Sequence, residues 1–218
     1  MPSAAPKQRT AAPTRKRVLD VATELLVRKG PAELTVRDVA TAAHCSTMMI
    51  YTWFGGKDEL IEAVYRDGFA RLEAALGECA AERDPIAHVR ALAHAYRRFG
   101  LRQPVLYAAM FSRPMAPEHV QGRHSRRETA SFTTLLDAVR AALERGAVAS
   151  SHGAETIADV LWAAVHGHVS LEVTGHFAED SEASGVRFAL LVDACLSGMA
   201  TSTCAPRSAA TTRTTRRR

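Results

Sequence analysis

The sequence predicts an all-α protein of about nine helices, and three observations carry that reading. Apolar residues recur three and four apart, as on one face of a helix, and no window alternates apolar with polar residues as a half-buried strand would. Only 6% of the 218 residues are aromatic although 47% are hydrophobic, because alanine is abundant. Helix start and stop signals punctuate the chain: Thr35, Ser46 and Asp84 stand at N-cap positions, Pro85 and Pro104 at first helical positions, and Gly30-Pro31 and Gly55-Gly56 at stops.

Taken in order, residues 1–14 contain Pro2, Pro6 and Pro13, and residues 200–218 are rich in Thr, Ala and Arg. Both hold too few large apolar side chains to offset ordering entropy, so a disordered basic arm and a disordered Arg-rich tail are expected. The first helix is predicted over Arg15 to Lys29, with Val18, Ala22, Leu25 and Leu26 on its buried face and Gly30 and Pro31 ending it. Thr35 caps a second, short helix whose stripe is Val36, Val39, Ala40 and Ala43, with Asp38 completing a variant capping box. After a break at His44 and Cys45, Ser46 caps a third helix through about Trp53. Lys57 then opens a long fourth helix, with Asp58 and Glu59 favourably placed in its first turn. Further helices are predicted over Pro85 to Phe99, Pro104 to Phe111, Gly122 to Arg145, Glu155 to Gly175 and Glu182 to Met199, joined by short connections.

Charge is uneven along the chain. The net is +5, yet Lys7, Arg9, Arg15, Lys16 and Arg17 sit together at one end and Arg207, Arg213, Arg216, Arg217 and Arg218 at the other, with no acidic residue among them. The 18 basic and 23 acidic residues that remain give the body −5, so a polyanion partner is expected at an end. The apolar stretch from Ile157 to Val173 is broken by Asp159, His166, His168 and Glu172 and fails as a membrane span, and no membrane partner is expected. Four scattered cysteines and no secretory signal point to a reduced, cytoplasmic protein. The sequence motifs of serine hydrolases, zincins, P-loops and dinucleotide sites are all missing, so no enzyme is expected.

Helices two and three, about three residues apart, fit a helix-turn-helix, which lays its second helix in the DNA major groove. The basic residues Arg15, Lys16 and Arg17 supply phosphate contacts from the arm. Ser46 and Thr47 open the third helix with hydroxyls and backbone N–H groups suited to phosphate, and Met48 or Met49 can reach a thymine methyl. Tyr51 packs its ring while its hydroxyl reaches a phosphate, and Lys57 makes a backbone contact. Phe54 is expected in the core, and Trp53 falls on the exposed side of its helix, where it calls for an interface.

At these residues the chain resembles the TetR family of bacterial transcriptional repressors. The signature T-x-x-x-I-A-x-x-A-G-V-S-x-G-x-[LI]-Y-x-x-F-x-x-K-x-x-L is matched by Thr35, Val39, Ala40, Ala43, Ser46, Ile50, Tyr51, Phe54, Lys57 and Leu60. His44 stands where glycine is usual, Cys45 replaces valine, and Met48 replaces a glycine of the recognition helix, where it alters which bases are accepted. A second element, Trp162-Ala163-Ala164-Val165-His166-Gly167, resembles the subgroup with W-x-x-x-H-G in its C-terminal domain. The resemblance implies a helix-turn-helix DNA-binding domain over residues 15–65 that includes Thr35 and Thr52 among its contacts. It also implies a helical regulatory domain over 66–199 with a small-molecule pocket, and a homodimer joined by the last two helices of each subunit. A helical interaction protein with a degenerate helix-turn-helix and no defined operator is the alternative, motivated by His44 and Met48.

Within the C-terminal part, Trp162 and His166 share one helix face, either as core with a satisfied histidine or as pocket lining. An apolar cavity is expected between Tyr96, Tyr107, Met110, Phe111 and Phe132, with Trp162 and His166 on its far wall. Its effector is then small, mostly apolar and equipped with one or two hydrogen-bonding groups. The helix from Lys57 is expected to carry the signal to the DNA-binding domain. His168, Glu172 and His176 recur every four residues but nothing nearby completes a metal site, so they read as a solvated or interface stripe, and no metal or cofactor is expected. Arg123 to Arg127 reads as a solvated loop or helix start. Cys45 and Cys195, without basic neighbours, read as small buried thiols. The final helix is apolar on two sides, with Val186, Leu190, Val192 and Leu196 assigned to one and Phe188, Leu191 and Cys195 to the other.

Overall fold

The structure is a computed structural model that describes residues 14–79, 82–111, 130–148, 150–177 and 181–200. Residues 1–13 and 201–218, which hold most of the two basic tails, and Arg123 to Arg127 lie outside the described residues. Those described form helices α1 (Arg15–Glu33), α2 (Val36–Ala43), α3 (Thr47–Phe54), α4 (Lys57–Gly77), α5 (Pro85–Arg102), α6 (Pro104–Phe111), α7 (Ala130–Glu144), α8 (Ala154–Val173) and α9 (Ser181–Ala200), with no strand among them. No helix among the described residues is long and apolar enough to cross a membrane.

Two apolar cores organise these helices. One gathers Val18, Ala22, Leu26, Val39, Ile50, Leu60 and Val64 from α1 to α4; the other gathers Leu72, Val89, Tyr96, Phe99, Val139, Leu161, Val169, Phe188 and Val192 from α4, α5 and α7 to α9. Helix α4 crosses from the first to the second. Helix α6 also bridges them, for Leu106, Tyr107 and Met110 lie in the second core while Ala109 is buried in the first, against α1. The Arg71 guanidinium on α4 ties the corner, donating to Asp20 of α1 at 2.9 Å and to Gln103, between α5 and α6, at 3.3 Å.

Three expectations change in detail. Gly30 interrupts α1 where the sequence places its end, at φ 79° and ψ 166°, a conformation open to glycine at little cost, and a further short turn from Pro31 to Glu33 follows the break. Trp53 is half-buried against the first core rather than exposed, because α3 is short and flanked by α2 and α4. Along α9, Val192 and Leu196 join Phe188 in the core, leaving Val186 and Leu190 on the outer side, 64% and 68% exposed. Repeats of four define the buried row (Ser184, Phe188, Val192, Leu196), which the mixed spacing of apolar residues had concealed.

Candidate nucleic-acid interface and effector site

Side-chain caps fix the geometry of α2 and α3. The Asp38 N–H donates to Thr35 Oγ1 at 3.1 Å and the Met49 N–H to Ser46 Oγ at 3.2 Å, each satisfying a donor that the helix start leaves free. Between the helices His44 adopts the left-handed conformation, φ 56° and ψ 45°, which histidine tolerates better than most residues. There the His44 and Cys45 N–H groups close the end of α2 on Thr41 and Ala40. The fully buried Ile50 then pins α3, turning Thr47, Met48, Tyr51 and Thr52 outward and leaving Met49 half-buried.

An open cleft of about 480 Å³ lies beside this face, lined by Thr35, Arg37, Thr47, Tyr51 and Lys57 together with Ala32, Leu34 and Val36. Hydroxyls, a guanidinium and an ammonium thus converge at the N-terminal end of α2, where the helix dipole adds partial positive charge; an anionic oxygen is the complementary guest. Lys57 also has a structural partner that its sequence position did not announce, since its ammonium donates to the Ala32 carbonyl at 3.2 Å. Of the basic residues before α1, Lys16 is paired with Asp20 at 2.6 Å and the Arg15 guanidinium lies 4.7 Å from the centre of the half-buried Phe54 ring, while Arg17 is exposed. Cys45 and Cys195 are half-buried, and burial pushes both thiols up, away from the reactive thiolate.

In the second core five of the seven expected effector residues meet. His166 Nδ1 lies 2.9 Å from the Tyr96 hydroxyl and 2.7 Å from the Tyr107 hydroxyl, while its ring stacks on Trp162 with centroids 5.2 Å apart and touches Phe111 at 4.6 Å. Burial holds His166 below its ordinary range and raises both phenols, so the group is uncharged at neutral pH. Both phenols can donate to the one Nδ1 lone pair of a neutral imidazole, so phenol protons outnumber that acceptor. Met110 and Phe132 lie in the same core, where Met110 packs against Gly68 of α4, at which a Cβ would come within 2.6 Å of its Cγ. Ser170, 3.5 Å from both Tyr107 Oη and His166 Nε2, was missed; its position four residues after His166 was the available signal.

A second polar group lies one residue along α5. Arg97 makes a two-pronged pair with Glu172 of α8, Nε to Oε2 at 2.8 Å and Nη2 to Oε1 at 2.7 Å, and the Ser184 hydroxyl of α9 donates to the same carboxylate. Burial alone would raise the Glu172 carboxyl, but Arg97 and Ser184 outweigh it and hold the group below the usual carboxylate range. Hence the expected solvated or interface stripe is corrected: His168 is buried against Phe188, the Glu172 carboxylate is only 5% exposed, and His176 is exposed, with Nδ1 2.9 Å from the Thr174 hydroxyl. Among the described residues no three His, Cys, Asp or Glu gather as a metal site.

Comparison with known proteins follows the same division. Residues 18–64 match the family model described as bacterial regulatory proteins, tetR family, and residues 89–195 match the one described as tetracyclin repressor-like, C-terminal domain. The chain belongs to the TetR family of transcriptional regulators. A stretch of 52 residues is 42% identical to the uncharacterized HTH-type transcriptional regulator YvkB of Bacillus subtilis (strain 168), a match that spans 24% of this chain and 28% of the relative's length. A solved structure of a protein with unknown function from Rhodococcus sp. RHA1 is 27% identical, covers 89% of this TetR-family chain and 100% of its own, and superposes with a TM-score of 0.69. The fatty acid degradation regulator FadR from Bacillus halodurans, 12% identical, shares the fold with a TM-score of 0.73 over 85% of this chain and 99% of its own.

Proposed function

We propose that this regulator is a cytoplasmic, homodimeric repressor that binds palindromic operator DNA through α3 and leaves it when a small, mostly apolar effector enters beside His166. The observation that carries this reading is the position of α6. Its Tyr107 and Phe111 touch His166, and two residues from each of them Ala109 is buried against α1. An effector that displaces the Tyr107 contact therefore acts on the DNA-binding domain through α6 as well as α4, a shorter route than the long helix alone. In this reading residues 15–65 hold the DNA contacts, namely Arg15, Lys16, Arg17, Thr35, Ser46, Thr47, Met48, Met49, Tyr51, Thr52 and Lys57, and residues 66–199 hold the effector site and dimer contact.

The outer side of α9, with Val186 and Leu190, and the exposed Val160 and Leu171 of α8 supply apolar surface for a four-helix contact between subunits. The alternative of a degenerate helix-turn-helix draws little support, since His44 accommodates the tight turn and Met48 leaves the packing of α3 undisturbed. A gel shift on the DNA upstream of the protein's own gene tests the reading. Specific retention by the parent protein is expected, and Leu190→Glu should give monomers by sedimentation that lose it. Intact dimers for Leu190→Glu and Val186→Glu, or no retention by the parent, would reject it.

A further inference from the structure

The outward face of α3 carries an unusual set of groups for a helix that reads base edges. From Thr47 to Phe54 its sequence is Thr, Met, Met, Ile, Tyr, Thr, Trp, Phe, with no charged side chain and no amide. Arg and Lys for guanine, and Asn and Gln for adenine, are the side chains that pair bidentately in the major groove, and this helix has none of them. Its hydroxyls are partly engaged or turned to the neighbouring cleft. Thr52 donates its one O–H to the Met48 carbonyl at 2.9 Å, Ser46 just before the helix accepts from the Met49 N–H, and Thr47 and Tyr51 line the cleft shared with Arg37 and Lys57. Projecting from the first turn is Met48, 71% exposed, more than any other large hydrophobic side chain among the described residues.

Within the major groove the apolar group on a base edge is the C5-methyl of thymine. A thioether chain held out from a helix start, where recognition helices meet bases, gains by covering that methyl and gains nothing comparable from the polar edges of a G·C pair. We propose that Met48 packs on the C5-methyl of one thymine in each operator half-site and makes that base pair a determinant of specificity. This inference rests on the reading of α3 as the groove-facing helix.

The test selects duplexes from a randomised pool with the full-length protein and, in parallel, with Met48→Gly and Met48→Ala, the second keeping full helix propensity. Affinity is then measured on the selected duplex with the candidate thymines replaced by deoxyuridine, which removes the methyl and keeps every groove hydrogen-bonding group. A fixed thymine in each half-site of the parent selection, relaxed in both variants, is the expected result. Deoxyuridine should lower parent affinity by about fourfold per methyl, the size of effect for one buried methyl-sized group, and should leave both variants indifferent. Parent and variants losing affinity equally on deoxyuridine, or a parent selection with no fixed thymine, would overturn the proposal while leaving DNA binding in place. Failure of the parent to enrich any sequence would instead remove the reading on which the proposal stands, and the proposal with it.

Discussion

Tyr96 and Arg97 are neighbours on α5, yet they anchor two polar groups of opposite character on the same partner helix. Tyr96 meets His166 and Tyr107 in a neutral cluster walled by Trp162 and Phe111; Arg97 meets Glu172 and Ser184 in a charged one beside Phe188. A buried charged pair resists exchange, because moving either partner strands the other's charge in a medium that solvates it poorly. Neutral donors and acceptors cost only about 1 kcal/mol per rearranged hydrogen bond and so can be traded for those of a guest. One side of the α5–α8 contact therefore holds α9 in place, and the other costs less to rearrange.

The largest expected effect comes from breaking the charged group. Arg97→Met leaves the Glu172 carboxylate buried without its cation and should destabilise the protein by about 3 kcal/mol, at the low end for such pairs because Arg97 keeps some exposure; midpoints of thermal unfolding should fall by roughly 6–12 °C. Removing both partners, as Arg97→Met with Glu172→Leu, should recover most of that loss. A double variant as unstable as the single would show that shape rather than charge pairing matters there.

In the neutral cluster the expected damage to stability is smaller and the damage to regulation larger. Tyr107→Phe removes one of two phenols competing for His166 Nδ1 and should cost about 1 kcal/mol or less, since Tyr96 at 2.9 Å still satisfies the imidazole. DNA retention should persist, whereas release by an effector found through screening should weaken by about tenfold, within the range of ordinary allosteric couplings. Trp162→Ala should abolish release in the same assay. Unaltered release in both variants would place the effector elsewhere and make the cluster core.

How far the sequence could foresee this division depends on whether a residue carries a local mark of its role. Caps and the start of α3 were legible because each is set by residues within a few positions: Thr35 and Ser46 cap their helices, and Thr47 and Met48 face out, whereas the half-burial of Trp53 depends on its neighbours α2 and α4. The meeting of Tyr96, Tyr107, Phe111, Trp162 and His166 was legible from aromatic residues placed at helical spacing on candidate lining helices. Arg97 with Glu172 and Lys57 with Ala32 were not, because nothing local marks one charged residue among many on a helix as the one that is paired across the fold. For Met110 the reason is rotational: the three residues to Tyr107 carry it onto α4, to the space that Gly68 leaves.

The smallest effect expected is a pH dependence that separates the two groups. Burial depresses His166 below 6.5 in the folded protein, so between 6.5 and that lowered value the unfolded chain binds a proton that the native one refuses. Its contribution is fully present above about pH 6.5 and lost as pH falls through the folded value. Burial lowers His168 in the same sense, although Glu172 opposes the shift. Glu172 behaves differently, its stabilisation being present above 4.5 and lost only as pH falls through its own depressed value. Thermal midpoints should therefore decline in two stages on acidification, a first below pH 6.5 to which His94, His166 and His168 contribute and a second below about pH 4.5 to which Glu172, Asp20 and Asp38 contribute. His166→Gln should make the first stage shallower and leave the second, while Glu172→Gln, although less stable throughout, should make the second shallower and leave His166's share of the first. If His166→Gln follows the parent slope between pH 7 and 5, the imidazole is already free to protonate in the native protein and the cluster is more open to water than its packing requires.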